Sequence, residues 1–286
     1  MLCITEPNRF WDSSLDVPPN GNFLESPIFD TKLGFGGNGE SVPVPDGYEF
    51  DGLGGEKIPV NATEILNSPR PVNGTVVPSD APLIELLIAQ LPFVLESRTG
   101  GGCVTDGPFA DLEIRLGPGP LTGLNKRCLN RDFAPTLITD SPLLEVLEAL
   151  PNVPTYLNLT DLINLPHGNG HGSIGGLLGE MFNLFSSPNG RWLRRRYVSR
   201  RVSMLMQWID PLFYLHHANI DRLWWKWQAA DLPARLDEVA GQAFLEGPEQ
   251  VTLDFELVAF PIADSRPIRD FMDIRKLGYI YDDGSD

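Results

Sequence analysis

Asp210-Pro211-Leu212-Phe213-Tyr214-Leu215-His216-His217-Ala218-Asn219-Ile220-Asp221-Arg222-Leu223-Trp224-Trp225-Lys226-Trp227-Gln228 is the stretch on which the reading of this 286-residue chain turns. It holds two of the four histidines and three of the six tryptophans. Asp is a good N-cap and Pro fits the first helical position, so the stretch predicts a helix from Asp210 to about Ala230. On that helix Phe213, His217, Ile220 and Trp224 recur at spacings of four, three and four. That pattern places His217 on the apolar, inward face and His216 about 100° round from it. A buried imidazole needs a partner for its lone pair, either a core hydroxyl or backbone group or a metal ion shared with other imidazoles. The tryptophans read as core.

The other two histidines stand upstream in His167-Gly168-Asn169-Gly170-His171. The i, i+4 spacing turns both rings to one face of a helix, where they can share one ion. Each intervening glycine costs that helix on the order of 1 kcal/mol against alanine, which packing or metal binding has to offset. A lone His-x-x-x-His is a weak signal, and the second histidine cluster strengthens it. Three neutral imidazoles from two helices suit Cu, Zn, Fe or Ni. Zinc protease chemistry is disfavoured, because Gly168 stands where His-Glu-x-x-His needs its Glu.

Composition narrows the class. A formal net charge of −16 argues against a nucleic-acid partner, which selects clustered Lys and Arg. No apolar run approaches the roughly 20 residues that cross a bilayer, so no membrane partner is expected. With 28 Gly and 26 Pro, long irregular loops should surround a helical core with few strands. The first ten residues lack the apolar segment of a signal peptide, while Asn61-Ala62-Thr63, Asn73-Gly74-Thr75 and Asn158-Leu159-Thr160 are acceptor sequons useful in secreted chains. Compartment stays open between the two. Cys103 and Cys128 either close a disulfide or stay as free thiols, and Cys3 is left over.

Along the chain, the first seventy or so residues are rich in turn formers and read as coil laid over other structure. Ser79-Asp80 with Pro82, Ser141-Pro142, and Thr160-Asp161 each carry a helix-start signature, the last heading the helix that bears His167 and His171. Six arginines crowd residues 191–201, as a basic patch or as a solvated excursion. Val251 to Val258 alternates like a half-buried strand. The tail, residues 269–286, is polar.

Asp210 to Trp224 resembles the second copper-binding signature of the tyrosinases and catechol oxidases, the type-3 copper proteins. His167-x-x-x-His171 followed by Ile174-Gly175-Gly176 is similar to the family's first two copper B ligands, and the alignment makes His217 the third. Trp11-Asp12 with Leu15-Asp16, Ser26-Pro27 with Phe29-Asp30, and Gly100 to Phe109 resemble the fungal branch. The resemblance implies a four-helix bundle, two coppers with three histidines each, and oxidation of phenols or catechols to quinones with O2. It implies His216, Gly168 and Gly172 near the substrate; read from the residues themselves, the Asp221-Arg222 step is a structural support, with Asp221 accepting charge-assisted hydrogen bonds that hold the helix in place.

The chain departs from the family pattern in three places. No histidine precedes His167, so the copper A ligands are missing, and four histidines cannot supply six. Residues 190–209 look like extra sequence, as if from an unspliced intron. Gly168 stands where many tyrosinases have an Asn thought to help deprotonate a monophenol, which shades the ancestry toward catechol oxidation. The expectation is therefore one domain over residues 1–286, an incomplete tyrosinase-type bundle that is N-terminally truncated. It would hold one copper on His167, His171 and His217 and be inactive by itself. The rival is a non-catalytic mononuclear metal-binding remnant.

Overall fold

The computed structural model describes residues 9–44, 49–51, 57–59, 92, 94–115, 124, 126–179, 181, 209–241, 250–258 and 263–282. Its strands are short and pair in twos, all antiparallel. β1 (Gly39–Ser41) lies with β4 (Gly101–Val104), β2 (Glu49–Asp51) with β3 (Lys57–Pro59), β5 (Glu113–Ile114) with β6 (Arg127–Cys128), and β7 (Glu256–Leu257) with β8 (Arg266–Pro267). The helices are α1 (Thr136–Thr139), α2 (Leu143–Ala149), α3 (Tyr156–Gly175), α4 (Leu212–Ala229) and α5 (Ile274–Leu277), with short 3-10 turns between them. The fold is mainly helical with extensive irregular loops and a few short strands. Of the bundle's long helices, the described residues contain α3 and α4, and these carry all four histidines. No described helix is long and apolar enough to cross a membrane.

The chain divides into two compact units. One comprises Trp11–Ser141 and Pro166–His216, the other Met1–Phe10, Pro142–Leu165 and His217–Asp286. The division falls within both long helices. In α3 it falls at Pro166, which has no N–H to continue the backbone ladder. In α4 it falls between the two adjacent histidines.

In the unit that begins at Trp11, the turn-rich N-terminal coil supplies the core. Trp11, Phe23, Phe29 and Phe133 are all buried and pack edge-on or tilted, with Phe29 and Phe133 centroids 4.5 Å apart. The segment is coil with short 3-10 turns, and its aromatic rings are part of the core. Its 3-10 turns are capped by Asp12, Asn22 and Ser26, each accepting a backbone N–H, and these caps turn the aromatic rings inward. A second cluster of Val104, Ile114 and Leu129 lies beside the Cys103–Cys128 disulfide, so those two thiols are paired.

In the other unit, Leu150, Val153, Leu159, Leu223 and Trp227 form the core. The Trp227 indole donates to the Val153 carbonyl at 2.8 Å, which satisfies its only polar atom inside that apolar cluster. Arg235 gathers the carbonyls of Trp227 and Val153 at 2.6 and 2.9 Å. Asp221 accepts the hydroxyls of Tyr279 and Tyr281 at 2.8 and 2.6 Å, and the Arg222 guanidinium lies 4.4 Å over the Phe10 ring. The two tyrosine bonds, with Gln228 Nε2 donating to the Met272 carbonyl at 3.0 Å, fix α4 to the C-terminal segment.

Three local expectations shift. Helix α3 begins at Tyr156, ahead of Thr160-Asp161, because Thr155 caps it by accepting the Asn158 N–H at 3.2 Å. The strand read over Val251 to Val258 shrinks to Glu256–Leu257, since Phe255 N–H bonds back to the Thr252 carbonyl and closes a turn. Helix α2 starts after Pro142 without a side-chain cap. The Ser79-Asp80 helix and the arginine-rich stretch up to residue 208 lie outside the described residues.

Candidate metal centre

Helix α4 starts where the sequence predicts. Asp210 Oδ1 accepts the Leu212 N–H at 3.0 Å and its carbonyl accepts Phe213 N–H at 2.9 Å. The buried residues are Leu212, Phe213, His216, Asn219, Arg222, Leu223, Trp227 and Gln228, while His217, Ile220 and Trp224 are partly buried, the last two packed against the Leu150–Trp227 core. Of the expected inward face, Phe213 is buried and Ile220 and Trp224 meet the core, but of the two adjacent histidines it is His216, not His217, that is buried. Apolar residues occur on several sides of this helix, and the hydrophobic pattern alone does not choose among faces about 100° apart.

So placed, His216 meets His167 and His171. One ligand nitrogen from each of the three lies within 4.8 Å of the others. His171 Nδ1–H donates to the Met181 carbonyl at 3.0 Å, so the lone pair of His171 sits on Nε2. That Nε2 faces His167 Nε2 at 3.1 Å. Two nitrogens about 2.0–2.1 Å from one ion, at close to a right angle, are separated by about 3 Å. The pair therefore stands at ligand spacing. His216 Nε2–H donates to the His167 carbonyl at 2.9 Å, which leaves its lone pair on Nδ1. The His167 and His216 rings stack with centroids 5.6 Å apart. Burial holds the His167 imidazole below the ordinary histidine range, hence neutral at pH 7, the form that ligates metal. Three buried or half-buried imidazoles converging in this way fit a transition-metal ion.

His217, the third ligand by the sequence reading, is not in this trio; it opens the other compact unit and is half-buried. His216, placed near the substrate by that reading, stands in the trio instead. Asn219, one turn on, is buried, and Arg222 donates to its Oδ1 at 3.1 Å. Gly168 is half-buried with open space where a Cβ would stand, and Gly172 is buried with its carbonyl accepting Gly176 N–H at 2.8 Å.

The remaining glycine of the motif explains why the helix tolerates it. A Cβ on Gly170 would lie 2.1 Å from His216 Cε1 and 2.6 Å from its Nδ1. Only a residue without a side chain lets the imidazole lie against α3 here.

Residues to which the sequence assigned no role at the histidines hold this arrangement in place. Trp11 packs tilted against His216 with centroids 5.9 Å apart, its backbone N–H bonds the Leu215 carbonyl at 3.0 Å, and its indole donates to Asp16 at 2.6 Å. Burial raises the Asp16 carboxyl pKa, against the opposing bonds from Trp11 and Ser26. Phe213 packs against His171 at 5.5 Å.

The second support is the adjacent pair Arg131-Asp132, both fully buried. Arg131 makes a two-point ion pair with Asp210 at 2.8 and 3.0 Å and also donates to the Phe35, Gly36 and Gly37 carbonyls. Gly36 has φ of 80°, and that left-handed turn brings three successive carbonyls onto one guanidinium nitrogen. Asp132 accepts the Leu177 and Leu178 N–H groups just past the end of α3 at 3.0 and 3.1 Å, and Arg98 at 3.0 Å. Its own N–H goes to the Ile174 carbonyl, and Ala134 N–H to Ser173, so two terminal carbonyls of α3 are satisfied. One four-residue segment thus fixes the end of the helix bearing His171 and the start of the helix bearing His216. No sequence signal links Arg131 to a residue 79 positions away.

Fold and trio together define a mainly helical protein with a three-histidine metal-ligand set shared by two helices. Residues 8–230 match the family described as the common central domain of tyrosinase, and the chain belongs to the tyrosinase family. It is similar to N-acetyl-6-hydroxytryptophan oxidase ivoB of Emericella nidulans, with 30% identity over 215 residues covering 64% of this chain and 52% of that protein. Tyrosinase P of Aspergillus terreus is 28% identical over 223 residues, 67% of this chain and 54% of that protein. The chain spans about half the length of these two relatives. Among solved structures, a mutant polyphenol oxidase from Thermothelomyces thermophila shares the fold with a TM-score of 0.61 at 23% identity, covering 96% of this chain and 65% of that one. The family implies copper, and its relatives support an oxidase function in general.

Proposed function

We propose that this chain carries one copper site of a phenol- or catechol-oxidising enzyme that uses O2. The observation that carries the reading is the His167–His171 pair, with facing Nε2 atoms 3.1 Å apart and the His171 tautomer set by the Met181 carbonyl. His167 and His171 would hold the ion. His216 is the third ligand on geometry, while the family signature favours His217. Copper in such a site supplies reversible one-electron chemistry toward dioxygen. The protein's part is to keep the His167 imidazole neutral by burial, to orient His171 through Met181, and to press His216 into place with Trp11 and Gly170. Gly168, half-buried with space around it, leaves room for a ring-shaped substrate beside His167.

A second reading, a mononuclear site without turnover, is favoured by one count: the sequence has four histidines, and the described residues hold one trio. Copper per chain, O2 uptake with catechol, and the same measurements on His167→Gln and His171→Gln test both. The proposal expects copper bound by the parent and lost in both variants. One copper with no O2 uptake favours the mononuclear reading for these 286 residues taken alone. Two coppers with catechol turnover would overturn the single-site count, and no copper at all would overturn the assignment.

A further inference from the structure

One motif is not used by the oxidase reading. Asn158-Leu159-Thr160 has the acceptor form for N-linked glycosylation, and Asn158 is exposed at the third position of α3. Leu159 between them is 1% exposed and anchors the core, so the motif is held with its asparagine outermost. The Thr155 hydroxyl donates to Asn158 Oδ1 at 2.6 Å and accepts the Asn158 backbone N–H at 3.2 Å. This reciprocal cap uses Oδ1 and leaves Nδ2, the atom that takes the sugar, with no protein partner among the described residues. Leu157 beside it is 49% exposed, an apolar side chain at a solvent face.

A second, independent observation concerns the compartment. Cys103 and Cys128 form a disulfide. Such bonds persist in the oxidising compartments where N-glycans are also attached. We infer that Asn158 is an N-glycosylation site and that the chain matures through the secretory route. In the transfer, Asn158 Nδ2 bonds to the anomeric carbon of a lipid-pyrophosphate-linked oligosaccharide. The sugar–phosphate C–O bond breaks, and one amide proton departs with the lipid pyrophosphate. In the folded helix the Thr160 hydroxyl donates to the Leu157 carbonyl at 2.8 Å, so attachment precedes closure of this turn. The glycan then covers Leu157. The Asn61 and Asn73 sequons lie outside the described residues.

The full chain, produced in yeast behind a secretion leader, tests this by peptide mass spectrometry and digestion with a peptide N-glycosidase. The expected result is a glycan on the Asn158 peptide, released with conversion of Asn to Asp. It should be absent in both Asn158→Gln and Thr160→Ala, the second of which keeps the Thr155 cap. A secreted chain with the Cys103–Cys128 bond intact and an unmodified Asn158 peptide would overturn the proposal. So would a glycan on that peptide persisting in Thr160→Ala.

Discussion

Substituting Gly170 with alanine separates the helix from the site it carries. In α3 the change should favour the helix by about 1 kcal/mol, the difference in propensity between the two residues. The new Cβ would lie 2.1 Å from His216 Cε1, where carbon atoms prefer about 3.5–4.0 Å, so the ring must retreat by more than about 1 Å. Metal sites tolerate ligand shifts of only about 0.2 Å, so His216 would leave the set. The overlap itself costs about 1–3 kcal/mol, which leaves net stability near or slightly below the parent. Losing correct placement of one ligand should weaken copper binding by about 10- to 100-fold. Gly168→Ala is the matched control: it gains the same propensity and meets nothing within 4 Å. Copper titration against a chromogenic chelator, with melting curves by circular dichroism, measures both quantities. The expected outcome is weakened copper in Gly170→Ala only, with a raised Tm in Gly168→Ala. Unchanged copper affinity in Gly170→Ala would refute His216 as ligand and return the place to His217.

Other perturbations give further expectations. Arg131→Ala strands the fully buried Asp210 carboxylate, and removing one partner of such a pair costs about 3–5 kcal/mol; a loss of urea-unfolding free energy below about 1 kcal/mol would contradict the clamp. Reducing the Cys103–Cys128 bond, which spans 25 residues, should lower stability by about 3.5 kcal/mol on loop entropy, and an unchanged melting curve counts against it. For the metal-free protein, the His167 pKa is lowered on folding, so the unfolded chain gains its proton first as pH falls below about 6.5. This group's contribution is intact above that pH and is lost as pH falls toward its folded value. The raised Asp16 carboxyl acts in the opposite direction, so the comparison is with His167→Gln, whose urea midpoint should fall less between pH 7.5 and 5.5. Equal falls in the two proteins would remove His167 as the cause.

Much of this arrangement is written locally in the chain. Asp210-Pro211 sets the start of α4 because the cap bond needs only neighbouring residues, and the i, i+4 pair of His167 and His171 needs only helical geometry. The facing register of α4 is less legible, because Leu212, Phe213, Leu215, Leu223, Trp224 and Trp227 offer apolar surface on more than one side. Packing chooses the face: Trp11 from the N-terminal coil lies on His216, and the missing side chain at Gly170 opens the space for its ring. Long-range polar pairs leave no trace in periodicity. Arg131 reads as an ordinary charged loop residue until Asp210 and the carbonyls around Gly36 are seen on it. The glycines of His167-Gly168-Asn169-Gly170-His171, read from sequence as a cost to the helix, are in part the condition for the site.

On the geometry of the trio, His167, His171 and His216 would hold one copper ion. The most direct test is an anomalous difference map at the copper edge from crystals of the copper-loaded chain. A single peak bonded to His167 Nε2, His171 Nε2 and a His216 ring nitrogen is the predicted result. A peak away from His167 and His171, or one completed by His217 with His216 still bonded to the His167 carbonyl, would contradict it.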